Sequence, residues 1–308
     1  MIMISIVGSL YKTSEYIPEF YEAIIKSIKN IKEDYEIILV SDGCPENSFE
    51  KAVNFYKDKS NIKILNLSKN FGHHAAMFCG VSYAKGDYTF LIDTDLEEDP
   101  NWLESFYHEI KNSKVELVFG YQKKRKGNFI EKISGNIFYK LCRLLSKNSI
   151  PDNLVTARLM TKKYTDELKK LNEITLDYHS IFHTLGFKNK GIEVEKKSNS
   201  TTTYTFWKKI ELFFNILISI STYPLKFFFF LGLFISFSSL TVVGYYLASY
   251  FFEKITVSGF TTIILSIWFL GGIIILNLGI IGIYISKIFI EVKQRPRFII
   301  SDFFSDKN

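Results

Sequence analysis

The sequence predicts an α/β domain built on a mostly parallel sheet, followed by an interfacial helix and two membrane-spanning helices. Short β-rich apolar runs at residues 2–10, 36–42, 62–68, 88–93 and 115–122 alternate with helical patterns at 15–30, 45–59, 73–85 and 100–112. Strands separated by single helices build βαβ units, whose strands run parallel beneath helices on both faces. Charge is also unevenly placed: only 10 of the 70 charged residues lie in 227–308. There, 26 uncharged residues (227–252) and 32 more (255–286) each exceed the roughly 20 apolar residues that cross a bilayer.

The remaining composition narrows the class. With 308 residues, a net charge of +6 and 47% apolar residues, the chain is long enough for a large core and too apolar for disorder. Cys44, Cys79 and Cys142 are widely spaced, outside any C-x-x-C pairing, and read as reduced thiols. His179 and His183 lack the Glu of H-E-x-x-H, so no zinc site is expected there. Neither G-x-G-x-x-G nor a P-loop occurs, and no nucleic-acid partner is expected. No signal peptide is read at the N-terminus.

Residues 1–205 are thus expected to be cytosolic, 206–226 amphipathic and juxtamembrane, 227–290 a transmembrane hairpin with spans at about 227–252 and 259–286, and 291–308 a cytosolic tail. The aromatic, basic and apolar run from Thr203 through Trp207, Lys208 and Lys209 suits a helix lying on the inner leaflet. Lys208, Lys209 and Lys226 precede the first span, and Lys287, Lys293, Arg295 and Arg297 follow the second, with Lys254 between them. The positive-inside bias then places both ends in the cytoplasm.

Ligands of such sheets gather at the carboxyl ends of strands. Ser9-Leu10-Tyr11 stands after strand one, Asp42-Gly43 after strand two and Asp93-Thr94-Asp95-Leu96-Glu97 after strand four. Asp93, Asp95 and Glu97, at i, i+2 and i+4, can converge on one hard cation. Mg2+ or Mn2+ held by one or two carboxylates and completed by substrate phosphates is the usual chemistry of such a site. Lys123, Lys124, Arg125 and Lys126 form a cationic loop after strand five.

With these residues in view, the sequence resembles the GT-A, family-two glycosyltransferases that charge polyprenyl phosphates, the group of dolichol-phosphate mannose synthase and the undecaprenyl-phosphate (bactoprenol) glucosyltransferases. The markers follow the family's order over nearly the whole chain. They are Ser5-Ile6-Val7 with Tyr11 and Glu15, Val40-Ser41-Asp42-Gly43, Asn70-Phe71-Gly72-His73, Ala84-Lys85-Gly86-Asp87-Tyr88, the acids from Asp93 to Glu97, Arg125, and Ala157-Arg158-Leu159-Met160. Tyr223-Pro224-Leu225 and Glu291-Val292-Lys293-Gln294-Arg295-Pro296 complete the set. Three departures stand out: Ser9 where the family often has Pro, Glu97 where it has Gln, and Gln122 where it has a phosphate-binding Arg.

The resemblance implies a GT-A, Rossmann-like fold and the transfer of a hexose from a nucleotide sugar, UDP-linked, to polyprenyl phosphate. It implies that Ser9, Leu10, Tyr11, Glu15 and Asp42 frame the nucleotide together with Asp93, Thr94 and Asp95. Asp93, Asp95 and Glu97 would hold the metal on the diphosphate. Arg125 and Arg158 would face the phosphates, with Lys123 and Lys124 beside them on the lipid phosphate. Asp95 and Asp152 are both open as a residual base, with Asp177 a third. Direct inverting displacement is expected, at the inner face of a bacterial membrane, serving cell-surface glycan modification, in a homo-oligomer that the resemblance makes a tetramer. A nucleotidyltransferase or a non-catalytic nucleotide-binding membrane adaptor are the rival readings.

Overall fold

The computed structural model describes residues 2–123, 153–171, 185–197, 225, 228–235, 237–238, 241 and 259–306. Expectations for Lys124, Arg125, Asp152, Asp177, the segment 206–226 except Leu225, and much of the first span lie outside the described residues. Two compact units make up the chain: Met1–Thr205 with Arg295–Asn308, and Phe206–Gln294.

In β1 (Met3–Leu10) successive side chains point to opposite faces, so Ile4, Ile6 and Leu10 enter one apolar cluster and Val7 the other. The same division holds in β2 (Asp34–Ser41), where Ile37 and Leu39 oppose Ile38 and Val40, and in β4 (Tyr88–Asp93), where Phe90 and Ile92 oppose Leu91. Strands apolar on both faces belong inside a sheet with helices on each side. Helices α1 (Ile17–Ile31), α2 (Ser48–Tyr56) and α4 (Trp102–Ser113) cover one face through Phe20, Ile24, Tyr56 and Phe106. Helices α3 (His73–Tyr83) and α5 (Lys162–Lys170) cover the other through Met77, Phe78, Tyr164 and Leu168.

The other strands are β3 (Ile62–Leu67), β5 (Leu117–Tyr121), β6 (Leu154–Thr161), β7 (Asn189–Glu193) and β8 (Ile300–Ser305). The spatial order is β7-β5-β6-β4-β1-β2-β3-β8. Strands β4, β1, β2 and β3 run parallel, and β5 runs parallel to β7. Strand β6 lies antiparallel between β4 and β5, and β8 antiparallel on β3. The sheet is mixed yet mostly parallel, as expected: β1 to β5 and β7 share one direction, and only β6 and β8 among these strands oppose it.

Chain order sets where a ligand can enter. Strands β2 and β3 build outward on one side of β1, and the chain then crosses by α3 to place β4 on the other side. A reversal of this kind opens a crevice at the carboxyl ends of the two flanking strands. Here those ends are Ser9 and Asp93, which are paired neighbours.

Strand β8 falls in the segment expected to be a tail. Its Ile300 packs against one apolar cluster and Phe304 against the other, although both have the same parity. The pairing explains this: Leu67 faces Ile300 and Asn66 faces Asp302, so Ser301 is an extra residue that flips the alternation.

In the second unit, helix Phe260–Val292 runs for 33 residues, about 50 Å at the α-helical rise. Its stretch Phe269–Val292 has a mean hydropathy of 2.3 and no buried residues. Among the described residues it is the one helix long and apolar enough to cross a membrane. It passes Ser286 and ends six residues beyond the expected boundary, just before Gln294 with its positive φ of 48° and Pro296.

Candidate active site

Three loops meet at the carboxyl ends of β1, β2 and β4. The loop after β2 turns at Gly43, whose φ of +55° suits glycine and whose added Cβ would lie 2.3 Å from the Lys69 carbonyl carbon. Asp42, only 2% exposed, accepts the Phe71 amide at 2.7 Å and the Gly72 amide at 3.0 Å. It thereby fixes the turn that starts α3. Burial pushes its pKa up against these two bonds. Tyr11 stands exposed on the loop after β1, and Glu15 on the short 3-10 turn Ser14–Tyr16 that follows. Leu10, expected to frame the nucleotide, instead buries its side chain completely in the core.

The β4 terminus is held by hydroxyls. Thr94 donates from Oγ1 to the Ser9 carbonyl at 2.6 Å, so Thr13 supplies the proton in the Thr13–Thr94 bond of 2.9 Å. Gly8 leaves room for this, since a Cβ there would meet Thr94 Cγ2 at 2.6 Å. His73, first residue of α3, places Nδ1 3.1 Å from Ser9 Oγ and Nε2 3.3 Å from Asp93 Oδ1. On the far side Thr156 donates from Oγ1 to Asp93 Oδ2 at 2.8 Å and from its amide to Glu98 Oε1 at 2.7 Å.

Charge is concentrated here. Burial pushes the Asp95 pKa up and the neighbouring Asp93 carboxylate pushes it further. Glu98 is fully buried, and burial followed by Asp93 raises its pKa as well. Leu96, between these acids, has a left-handed φ of 59°, an uncommon conformation for a branched side chain. Lys196, just past β7, lies 3.2 Å from Glu97 Oε2 and 3.8 Å from Glu98 Oε1. Burial would lower its pKa, but the carboxylates of Glu98, Asp93 and Asp95 raise it, so the ammonium is held charged.

Does this set fit a divalent cation? Asp93 Oδ1 is buried and makes no well-aligned hydrogen bond, although His73 Nε2 lies 3.3 Å away, and it is close to a second carboxylate whose titration it perturbs. A hard cation completed by substrate phosphates needs only one or two carboxylates, so Asp93 and Asp95 fit. The expected three-acid set does not assemble: among the described residues no three His, Cys, Asp or Glu side chains are arranged to hold a metal. Glu97 is instead drawn to Lys196.

The expected phosphate-facing cations are placed differently. Arg158 is 2% exposed, and its guanidinium donates to the Thr156 carbonyl at 2.9 Å and the Val155 carbonyl at 3.0 Å. It supports the start of β6 and is buried against these carbonyls, whereas the resemblance has it facing the phosphates. Lys123 is exposed and lies 3.5 Å from Glu193. Sequence reasoning missed Thr13, Glu98, Thr156 and Lys196 as site residues. Only Glu98 carried a signal, its adjacency to Glu97.

Residues 5–169, more than half the chain, match the family described as Glycosyl transferase family 2. The chain belongs to glycosyl transferase family 2. A Mycobacterium tuberculosis (strain CDC 1551 / Oshkosh) protein named "Putative glycosyltransferases" is 38% identical to this glycosyltransferase over 96% of the chain and 87% of its own. The SfII prophage-derived bactoprenol glucosyl transferase of Shigella flexneri is 28% identical over 96% and 97%. Among solved structures, S. aureus TarS 1-349 in complex with UDP-GlcNAc aligns over 71% of this chain and 66% of its own, at 13% identity and a TM-score of 0.47.

Proposed function

We propose that this glycosyltransferase moves a hexose from a UDP-linked donor to a polyprenyl phosphate at a membrane surface. The observation that carries the reading is the pair Asp93 and Asp95 at the β1–β4 crevice, in a chain that also bears a membrane-length apolar helix. Relatives named bactoprenol glucosyl transferase support the lipid acceptor.

The chemistry suits the acceptor. A lipid phosphate has a second pKa of about 6 and is already anionic at neutral pH. It attacks the anomeric carbon as the bond to the nucleoside diphosphate breaks, with inversion, and needs orientation more than deprotonation. Mg2+ or Mn2+ held by Asp93 and Asp95 would neutralise the charge that develops on the diphosphate. Exposed Tyr11 offers a face for the base, and Asp42, buried and engaged by the Phe71 and Gly72 amides, is proposed to shape the nucleotide end of the crevice. Ser9 and Thr94 keep the two strand ends together. Lys123, with Lys124 and Arg125, is proposed to meet the lipid phosphate. The apolar runs at 227–252 and 255–286 are read as a hairpin with both ends cytoplasmic, on the basic residues that flank it.

The test incubates full-length protein in undecaprenyl-phosphate liposomes with UDP-glucose, UDP-galactose and UDP-N-acetylhexosamines. A lipid product heavier by one sugar, with release of UDP, is expected. Free pyrophosphate would point to a nucleotidyltransferase, and no product with any donor would overturn the reading.

A further inference from the structure

The acid cluster after β4 already contains a cation of its own. Lys196 reaches it from the loop after β7, about a hundred residues away in sequence, with Nζ 3.2 Å from Glu97 Oε2 and 3.8 Å from Glu98 Oε1. The loop is secured by the Lys197 amide, which donates to the Glu97 carbonyl at 2.8 Å. The Lys196 side chain is mostly covered, and Glu98 is wholly buried with Oε2 lacking a hydrogen-bond partner. An ammonium stationed among carboxylates has two consequences. It pulls Glu97 toward β7, and it repels any other positive charge that approaches Asp93 and Asp95, an effect that low dielectric strengthens.

We propose that Lys196 is a positioning residue that withholds Glu97 from the cation site and weakens divalent-cation binding until a nucleotide diphosphate arrives. The inference rests on the reading of Asp93 and Asp95 as cation ligands. Binding of the diphosphate gives both Lys196 and the divalent ion an anionic partner, so cation and donor enter together. Glu97 is then a latent ligand, silent as long as Lys196 holds it.

The test is direct binding of Mn2+ to detergent-solubilised full-length protein, by calorimetry, with and without UDP. In the absence of UDP, Lys196→Met and the milder Lys196→Gln should each bind Mn2+ at least about tenfold more tightly than wild type, since a fixed like charge has been removed. Lys196→Arg should stay within about threefold of wild type, because the charge is retained. Adding Glu97→Gln to Lys196→Met should abolish most of the gain, since the freed ligand is gone. With UDP present, the gap between wild type and Lys196→Met should narrow. Unchanged or weaker Mn2+ binding in both neutral variants, with measurable binding in wild type, overturns the proposal. Full retention of the gain in the double variant overturns the latent role of Glu97. If wild type binds no Mn2+ even with UDP, the reading of Asp93 and Asp95 fails and the proposal falls with it.

Discussion

Thr156, the third residue of β6, holds Asp93, the last residue of β4, through a 2.8 Å bond from Oγ1 to Oδ2. Antiparallel β6 sits directly against β4, so the strand that interrupts the parallel sheet also orients the site's first carboxylate. With Oδ2 engaged, Oδ1 makes no well-aligned hydrogen bond and has the His73 ring nitrogen 3.3 Å away.

Thr156→Val keeps the β-branched shape and removes only the hydroxyl. Groups that orient a metal ligand typically contribute about 10- to 100-fold to affinity or activity. Transfer rate and Mn2+ affinity should therefore fall together, by at least about tenfold on that scale. The thermal midpoint should move little, because the Thr156 amide still donates to Glu98. Unaltered transfer with a lowered midpoint would make the bond purely structural.

Asp95→Asn separates catalysis from stability. Transfer should collapse, and EDTA should have the same effect on wild type. Stability should move the other way. Burial and Asp93 raise the Asp95 pKa in the fold, so the metal-free protein loses stability as the pH climbs above the unfolded value, in full once it exceeds the raised one. The variant should melt higher than EDTA-treated wild type at pH 7. The difference should vanish as the pH falls to the ordinary aspartate value of 3.8. A lower melting point at pH 7 would contradict the mutual repulsion of the two acids.

A different carboxylate holds the other end of the sheet. Glu36, 7% exposed on β2, accepts from Ser5 Oγ at 2.6 Å, Lys63 Nζ at 2.6 Å and the Lys85 amide at 2.7 Å, so it joins β1, β3 and the end of the α3 segment. Burial pushes its pKa up, but the bonds from Lys63, Ser5 and Lys85 outweigh this and hold it below the ordinary value of 4.5. A depressed carboxylate stabilises above its unfolded pKa and loses that contribution as the pH falls through the folded one. Glu36→Gln should cost about 1.5–3 kcal/mol at pH 7, the range for hydrogen bonds to charged groups. The deficit should shrink below about pH 4.5, which denaturant melts at several pH values would read.

Strands β1 to β5 and helices α1 to α4 were legible because each carries a clean period and is bounded by turn residues such as Asp42-Gly43 and Asn70. Asp93, Thr94 and Asp95 were legible because carboxylates ending an apolar strand advertise themselves. Strand β7 was hidden by Gly191 and its charged neighbours, and β8 by its position after the apolar helix. Thr156 and Lys196 could not be read, because their meaning comes from contacts with Asp93 and Glu97 across long stretches of chain. Arg158 was legible only through the family resemblance: no strand was read at 154–161, and the sequence did not show that its guanidinium turns back onto carbonyls.

The C-terminal strand gives the last prediction. Asp306 accepts the Asn61 amide at 2.6 Å and the Ile62 amide at 3.2 Å, capping the left-handed turn at Asn61 (φ 63°) from which β3 starts. Upstream, the Arg297 guanidinium stacks 4.4 Å from the Phe78 ring centroid and donates to the Leu171 carbonyl. The segment is thus anchored at both ends, and β8 shields the outer edge of β3. Asp306→Ala should cost about 1 kcal/mol, the low end of the penalty for amides left without an acceptor, because these two are only partly buried. Truncation after Phe298 should do more, because it bares the backbone of β3 with Ile64 and Leu65 beneath, and an open apolar edge invites pairing with other chains. Size-exclusion profiles in detergent should show aggregate for the truncation and a monodisperse but less heat-stable species for Asp306→Ala. A truncated protein that stays monodisperse and melts like wild type would show that β8 is dispensable to the sheet.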